Sequence, residues 1–222
     1  MSVQTADLID QVLSITPGSR LDALRRHREV ARENIQNAYL ALFEPRDASE
    51  VSQLERLAVA SFIAGVHGQL VLADHYAHLL TRTEGGIALS AVLTTEIERG
   101  TTEGPFGTYP SGPLSVEDKA GPIYSVGVDS KQALGTKLSA ALEHAHLLVF
   151  RPRDASRAAL QALLDASWST PAIVTLSQLI AYLAFQVRIV EGLTALAASS
   201  EQVADASSVT SFAAPVAAAA HS

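Results

Sequence analysis

Four side chains able to do chemistry gather in one short stretch of the chain: His67, Asp74, His75 and His78. On a helix from Val66 to Leu80, His67, Asp74 and His78 would lie within about 40° of one another, with His75 at the edge of the stripe. Imidazoles titrate near neutrality and serve as general acids or bases, and with a carboxylate they can also ligate a divalent cation. Gly68 falls between His67 and the other three and should break the helix there, which argues against a metal site. No metal and no cofactor is therefore expected, and a capped or solvated polar face is the alternative use of these residues.

Two further polar groups stand out. Glu143, His144 and His146 crowd one turn, and Glu143 with His146 has the Glu-x-x-His spacing of carboxylate-bridged metal sites, although no second copy of the motif occurs. Thr175, Gln178, Tyr182 and Gln186 form a polar line in an otherwise apolar run. Such groups need partners when buried, so they either lock the helix to its neighbours or line a pocket. The chain has no cysteine, which excludes a disulfide, a thiolate metal site and any thiol nucleophile or redox pair of its own.

The elements that must position these groups read as helices. Hydrophobic residues make up 48% of the 222-residue chain but aromatics only 5%, so the core must be built from Ala, Leu, Val and Ile, a mixture suited to closely packed helices. The fold class expected is all-α. A net charge of −7 without a long Lys/Arg run removes the electrostatic footprint of nucleic-acid binding. Asp7 and Asp10 stand where an export signal needs positive and then apolar residues, and Gln178, Gln186, Arg188 and Glu191 interrupt the most apolar stretch. The reading is a cytoplasmic protein with no membrane partner.

Along the chain the pattern predicts a short helix over Ala6 to Leu13 and a second over Leu21 to Phe43, whose charged first half reads as a solvated face. Ser52-Gln53-Leu54-Glu55 is a capping box opening a third. Gly65 and Gly68 mark a break, followed by helices over Gln69 to Leu80 and up to Arg99. Dense Gly and Pro make 101–124 a long connecting loop. Helices resume over Ser130 to Phe150 and Ser156 to Ala166, and Thr170-Pro171 should cap and open the last, to about Ala197.

Phe43-Glu44-Pro45-Arg46-Asp47-Ala48-Ser49 recurs 107 residues later as Phe150-Arg151-Pro152-Arg153-Asp154-Ala155-Ser156, identical at six of seven positions. Each copy reads as a joint between helices, in which Pro stops one and Asp or Ser receives the amides of the next. The expected organisation is an N-terminal half (1–100), the loop (101–124), a related C-terminal half (125–197) and an Ala/Ser-rich tail (198–222), loosely helical or disordered.

The segment Leu54-Glu55-Arg56-Leu57-Ala58-Val59-Ala60, leading through Gly65 to His75, resembles the signature region of the carboxymuconolactone decarboxylase and alkylhydroperoxidase D superfamily. So does the run from Ile173 to Tyr182 with Gln186, Arg188 and Gly192 after it. In detail the chain looks closest to a two-repeat, peroxidase-related branch, over residues 21–197. Members with peroxidase activity carry Cys-x-x-Cys-x-x-x-His and an acid one helix upstream. Laid on that motif, the histidine falls on His75, the cysteines on Gly68 and Val71, and the acid on Arg56, beside Glu55. Gly and Val can form neither a sulfenic acid nor its resolving disulfide, so the resemblance implies the fold without thiol peroxidase chemistry.

What the resemblance implies for function is a small-molecule site between helices. His75 would be its acid or base, with Tyr182 and Gln178 beside it and Glu55 as a relay acid, unless Glu55 serves only its capping box. His67 and His78 are the remaining candidates for ligand contact. The alternatives are a non-catalytic oligomeric or partner subunit and a peroxidase-related role by homology alone. Ala-rich apolar helix faces, and the assemblies usual in that superfamily, add the expectation of a homo-oligomer.

Overall fold

A computed structural model describes residues 7–210, and the side chains of residues 7–199. Among the described residues there are nine α-helices and no strand, so the chain is all-α. The helices are α1 (Leu8–Val12), α2 (Arg20–Arg26), α3 (Glu29–Phe43), α4 (Gln53–Val66), α5 (Leu70–Thr81), α6 (Gly86–Gly100), α7 (Val128–Phe150), α8 (Arg157–Asp165) and α9 (Thr170–Thr210).

The centre is α4, in which every residue from Arg56 to Ala64 is buried. It packs against α5, α6, α7 and α9. Its alanines and Gly65 permit close approach: a Cβ at Gly65 would fall 2.6 Å from the Ile97 side chain of α6. The capping box is present, with Ser52 Oγ accepting from the Glu55 amide at 3.3 Å and Glu55 Oε2 from the Ser52 amide at 2.8 Å. The helix also stops at the expected glycine. Gly68 has φ +67°, a left-handed value that a side chain disfavours, and α5 restarts two residues later.

Three expectations change. The segment 21–43 is two helices rather than one, broken at His27 and Arg28. Its charges are not simply solvated. Arg25 is buried and bonds Asp7 and Asp10, Arg32 reaches Asp10 and Asp7, and Arg26 pairs with the buried Asp22, so an ion network binds α1 to α2 and α3. The cap of α9 is Ser169, one residue before the expected Thr170: Ser169 Oγ accepts from the Ala172 amide at 3.1 Å and donates to Glu50. The backbone of α9 continues to Thr210, and the rest of the tail lies outside the described residues.

The two joints share a backbone. Both Glu44 and Arg151 end their helices near φ −130°, ψ 47°, each amide donating at 2.8 Å to the carbonyl four residues back. Beyond that turn the joints diverge. Ser156 caps α8 directly through the Ala159 amide, whereas in the first joint that task passes from Ser49 to Ser52.

Candidate functional site

The long loop between α6 and α7 is strapped down by the second joint. The Phe150 carbonyl accepts from the Phe106 amide at 2.7 Å, and Asp154 accepts from the Thr108 amide at 3.4 Å. Arg151 Nη1 donates to the carbonyls of Gly121 and Pro122 at 2.5 and 3.2 Å, while its Nε and Nη2 hold Asp154. Arg153 donates to the Glu117 carbonyl at 3.0 Å and covers the Tyr109 ring. Gly121 is needed at its place, since a Cβ there would sit 2.2 Å from the Phe106 ring.

Held in this way, the loop end forms one wall of a cleft of about 350 Å³. Pro122, Ile123, Tyr124 and Ser125 face the C-terminal turn of α6, Arg99 to Thr102, with His146 of α7 between them. Tyr124 Oη donates to Glu96 Oε2 at 2.6 Å, and its ring stacks on His146 with centroids 4.7 Å apart. His146 in turn meets Phe150, which meets His67.

Glu96 is fully buried yet ionised. Burial alone would push its carboxyl up. Hydrogen bonds from Tyr124, Ser130 and the Gly127 amide, with the Arg99 guanidinium 3.5 Å away, together outweigh that and hold it below its ordinary 4.5. Burial and the adjoining carboxylate raise the Tyr124 phenol far above its usual value, so it is a fixed donor and never a base. His146 Nε2 lies 2.9 Å from the Gly100 carbonyl. A carbonyl only accepts, so Nε2 carries the proton, and in the neutral ring Nδ1 is left as an acceptor. Burial keeps this imidazole below 6.5; the Gly100 bond pulls the other way, and the charge of Arg151 adds to the depression. At neutral pH the site offers a neutral imidazole, a guanidinium and a locked phenol around a small volume.

The residues singled out from the sequence are placed elsewhere. His75 does not line this cleft; its ring meets Tyr76 edge-on, its Nε2 is buried without a hydrogen bond, and burial, then His78, lowers its pKa. His67 Nε2 is likewise buried without a partner, its pKa lowered by burial and by Arg188. His78 and Gln178 are exposed. Tyr182 is buried on the other side of α9, its hydroxyl donating at 3.4 Å to the Ile35 carbonyl of α3. Glu55 gives one oxygen to the capping box and the other to Lys137 Nζ at 2.8 Å. Arg56, at the position of the superfamily's acid, is buried and donates to the Val51 and Leu42 carbonyls.

Of the polar line on α9, Gln186 is the fully buried member, accepting from Tyr76 Oη at 2.6 Å, and Ser177 meets His144 Nε2 at 3.2 Å. The Glu-x-x-His pair parts company as well: Glu143 accepts the Val126 amide and pairs with Lys131, while His146 turns to Tyr124. Among the described residues no three His, Asp or Glu side chains come close enough to hold a metal ion.

Glu96 and Tyr124 were not evident from the sequence. The signal for Glu96 is its register: Gly86, Leu89, Leu93, Glu96 and Gly100 form the buried stripe of α6, so the carboxylate occupies a core position. Compared with protein-family models, curated proteins and solved structures, the chain matches none.

Proposed function

We propose that the cleft between the end of α6 and the strapped loop binds a small organic molecule and that His146 is its acid–base group. The observation that carries this reading is the fixed, neutral His146 ring. Nε2 is tied to the Gly100 carbonyl, one face is stacked on a tyrosine anchored by a buried carboxylate, and Nδ1 is left to accept a proton from a ligand. Arg99, half exposed at the rim, supplies a positive charge for an anionic substituent. The acid–base site expected around His75 is thus proposed instead at His146. This reading keeps the resemblance to the carboxymuconolactone decarboxylase and alkylhydroperoxidase D superfamily as a proposal about ancestry, with the cysteine chemistry gone and acid–base or binding chemistry remaining.

The test is a fragment screen read by NMR, with small carboxylates and neutral protic compounds as probes. Hits should perturb residues 99–102 and 122–125, and His146→Gln should weaken them at least about tenfold, as removal of a main polar contact in an enclosed site does. Hits that map elsewhere, or that ignore His146→Gln, refute the reading.

A second reading keeps the site at His75. Its support is that the Nε2 atoms of His75, His67 and Gln186 are all buried without hydrogen bonds, which is unmet capacity near the Tyr76–Gln186 pair. His75→Gln separates the two, since it should abolish ligand binding only if this second reading is right. On either reading the protein is proposed to work in the cytoplasm. One helix, 170–199, is long and apolar enough to cross a membrane, and half of its most apolar window is buried inside the protein.

A further inference from the structure

The outward face of α9 has a regular pattern that the body of the protein leaves uncovered. From Val174 through Gln178, Ala181, Phe185 and Arg188 to Gly192, the exposed residues alternate at spacings of four and three. That is the a/d repeat of a two-helix seam, turned away from the core. Phe185 and Val174 are each about half exposed, at 49% and 53%, although large apolar side chains on a soluble helix are ordinarily turned inward. The opposite face, with Leu176, Leu179, Leu183, Val187 and Val190, is fully occupied by α4 and α7.

We infer that this face docks on the same face of a second copy of the chain, with the two α9 helices antiparallel and the two-fold axis beside residue 183. A two-fold interface requires that residue i meet j and that j meet i. In this register Phe185 lies over Ala181 of the second copy, Val174 over its Gly192, and Arg188 beside its Gln178. Each large side chain meets a small one, and the guanidinium meets an amide oxygen that can accept from it. One Nη of Arg188 already donates to the Ala184 carbonyl at 2.6 Å, which leaves its other N–H groups for the partner. A lipid surface fits less well, because Arg188 and Gln178 stand in the middle of the stripe rather than at its ends.

The area sets the strength. The stripe runs about 28 Å along the axis, so a helix-on-helix contact covers roughly 350 Å² per partner. The exposed Leu70 and Val71 begin α5 just beyond His67, which feels the charge of Arg188, and so extend the same face. Even so the total stays near or below the lower bound of about 600 Å² per partner for stable interfaces. The dimer is therefore reversible and dissociates in the micromolar range. It does not depend on the occupant of the cleft, which none of these residues lines.

The full chain tests this by sedimentation between about 2 and about 200 µM, a range that brackets such a constant. The expected result is a monomer–dimer equilibrium that Phe185→Glu shifts at least about tenfold toward monomer while its melting curve stays unchanged. Because the chain has no cysteine, orientation can be read by oxidative cross-linking. Val174→Cys mixed with Gly192→Cys should give a disulfide-linked dimer, whereas each variant alone should not. Monomer throughout, a dimer insensitive to Phe185→Glu, or self-cross-linking of either single variant, as a parallel pair would give, overturns the proposal. So does a monomer that binds vesicles of phosphatidylcholine and phosphatidylglycerol through the same residues.

Discussion

The joints at 43–49 and 150–156 differ in one residue of seven and end their helices with the same backbone turn, yet they do different work. In the first, Glu44 is exposed, and the joint is closed from inside by Arg56, whose guanidinium bridges the Leu42 and Val51 carbonyls. In the second, the corresponding Arg151 reaches outward, taking the Gly121 and Pro122 carbonyls and Asp154 together. Both phenylalanines are buried, Phe43 on Tyr76 and Phe150 on His146. The lesson is that a local motif fixes the turn, and a single charge decides whether the turn is only a connection or also a clamp that builds a site.

The sharpest way to break the comparison is to give the second joint the first joint's residue. Arg151→Glu removes three charge-assisted bonds and sets a carboxylate against two carbonyls. The expected cost is about 2–4 kcal/mol, or roughly 5–15 °C in Tm for a chain of this size. Amide exchange should accelerate at 119–125 beyond the global effect. Equal exchange rates across that segment in variant and wild type would show that the strap is not what holds it.

Tyr124→Phe comes next. It leaves Glu96 buried with Ser130, the Gly127 amide and Arg99 but without its shortest donor, at a cost of about 1–2 kcal/mol. The variant should also tolerate acid less well. A carboxyl whose folded pKa lies below its ordinary 4.5 contributes stability that is complete above that value and is lost as pH falls through the folded pKa. Removing one of its donors moves that loss to higher pH. A coincident acid-melting profile for the two proteins would count against the Glu96–Tyr124 lock.

Much of the fold is legible in the sequence. The capping box at Ser52 and Glu55, the break at Gly68, and the ends of α4 to α8 follow from local chemistry, which acts within a few residues. The cap of α9 falls at Ser169 rather than Thr170 because Ser and Thr both serve, and the contact with Glu50 decides between them. The charged start of α2 and α3 reads as solvated because its partners, Asp7 and Asp10, lie on another helix. Tyr124 is illegible for the same reason on a larger scale. Nothing near it in sequence points it at Glu96; its place depends on Arg151, bonded to carbonyls thirty residues away. The superfamily resemblance points to His75, whereas the cleft lies at His146.

A smaller effect is expected from mild acid. His67, His75, His144 and His146 all have pKa values lowered chiefly by burial. Above 6.5 they are neutral in both states and contribute nothing to pH dependence. As pH falls below 6.5 the unfolded chain takes up protons that the folded chain refuses, so Tm should decline between pH 7 and 5. His146→Gln should remove part of that slope. The smallest effect belongs to the first joint: Glu44→Ala should leave the melt unchanged, and a destabilisation matching that of Arg151→Glu would erase the contrast between the two joints.

The central claim, a neutral His146 held by Gly100 with Nδ1 open to a ligand, is most directly tested by imidazole ¹⁵N NMR at pH 7. The account predicts that His146 is the Nε2–H tautomer, that its Nδ1 resonance moves when a cleft-binding fragment is added, and that this response is lost in Arg151→Glu. A protonated imidazolium at pH 7, the Nδ1–H tautomer, or an Nδ1 resonance indifferent to every fragment bound at residues 99–102 would contradict it.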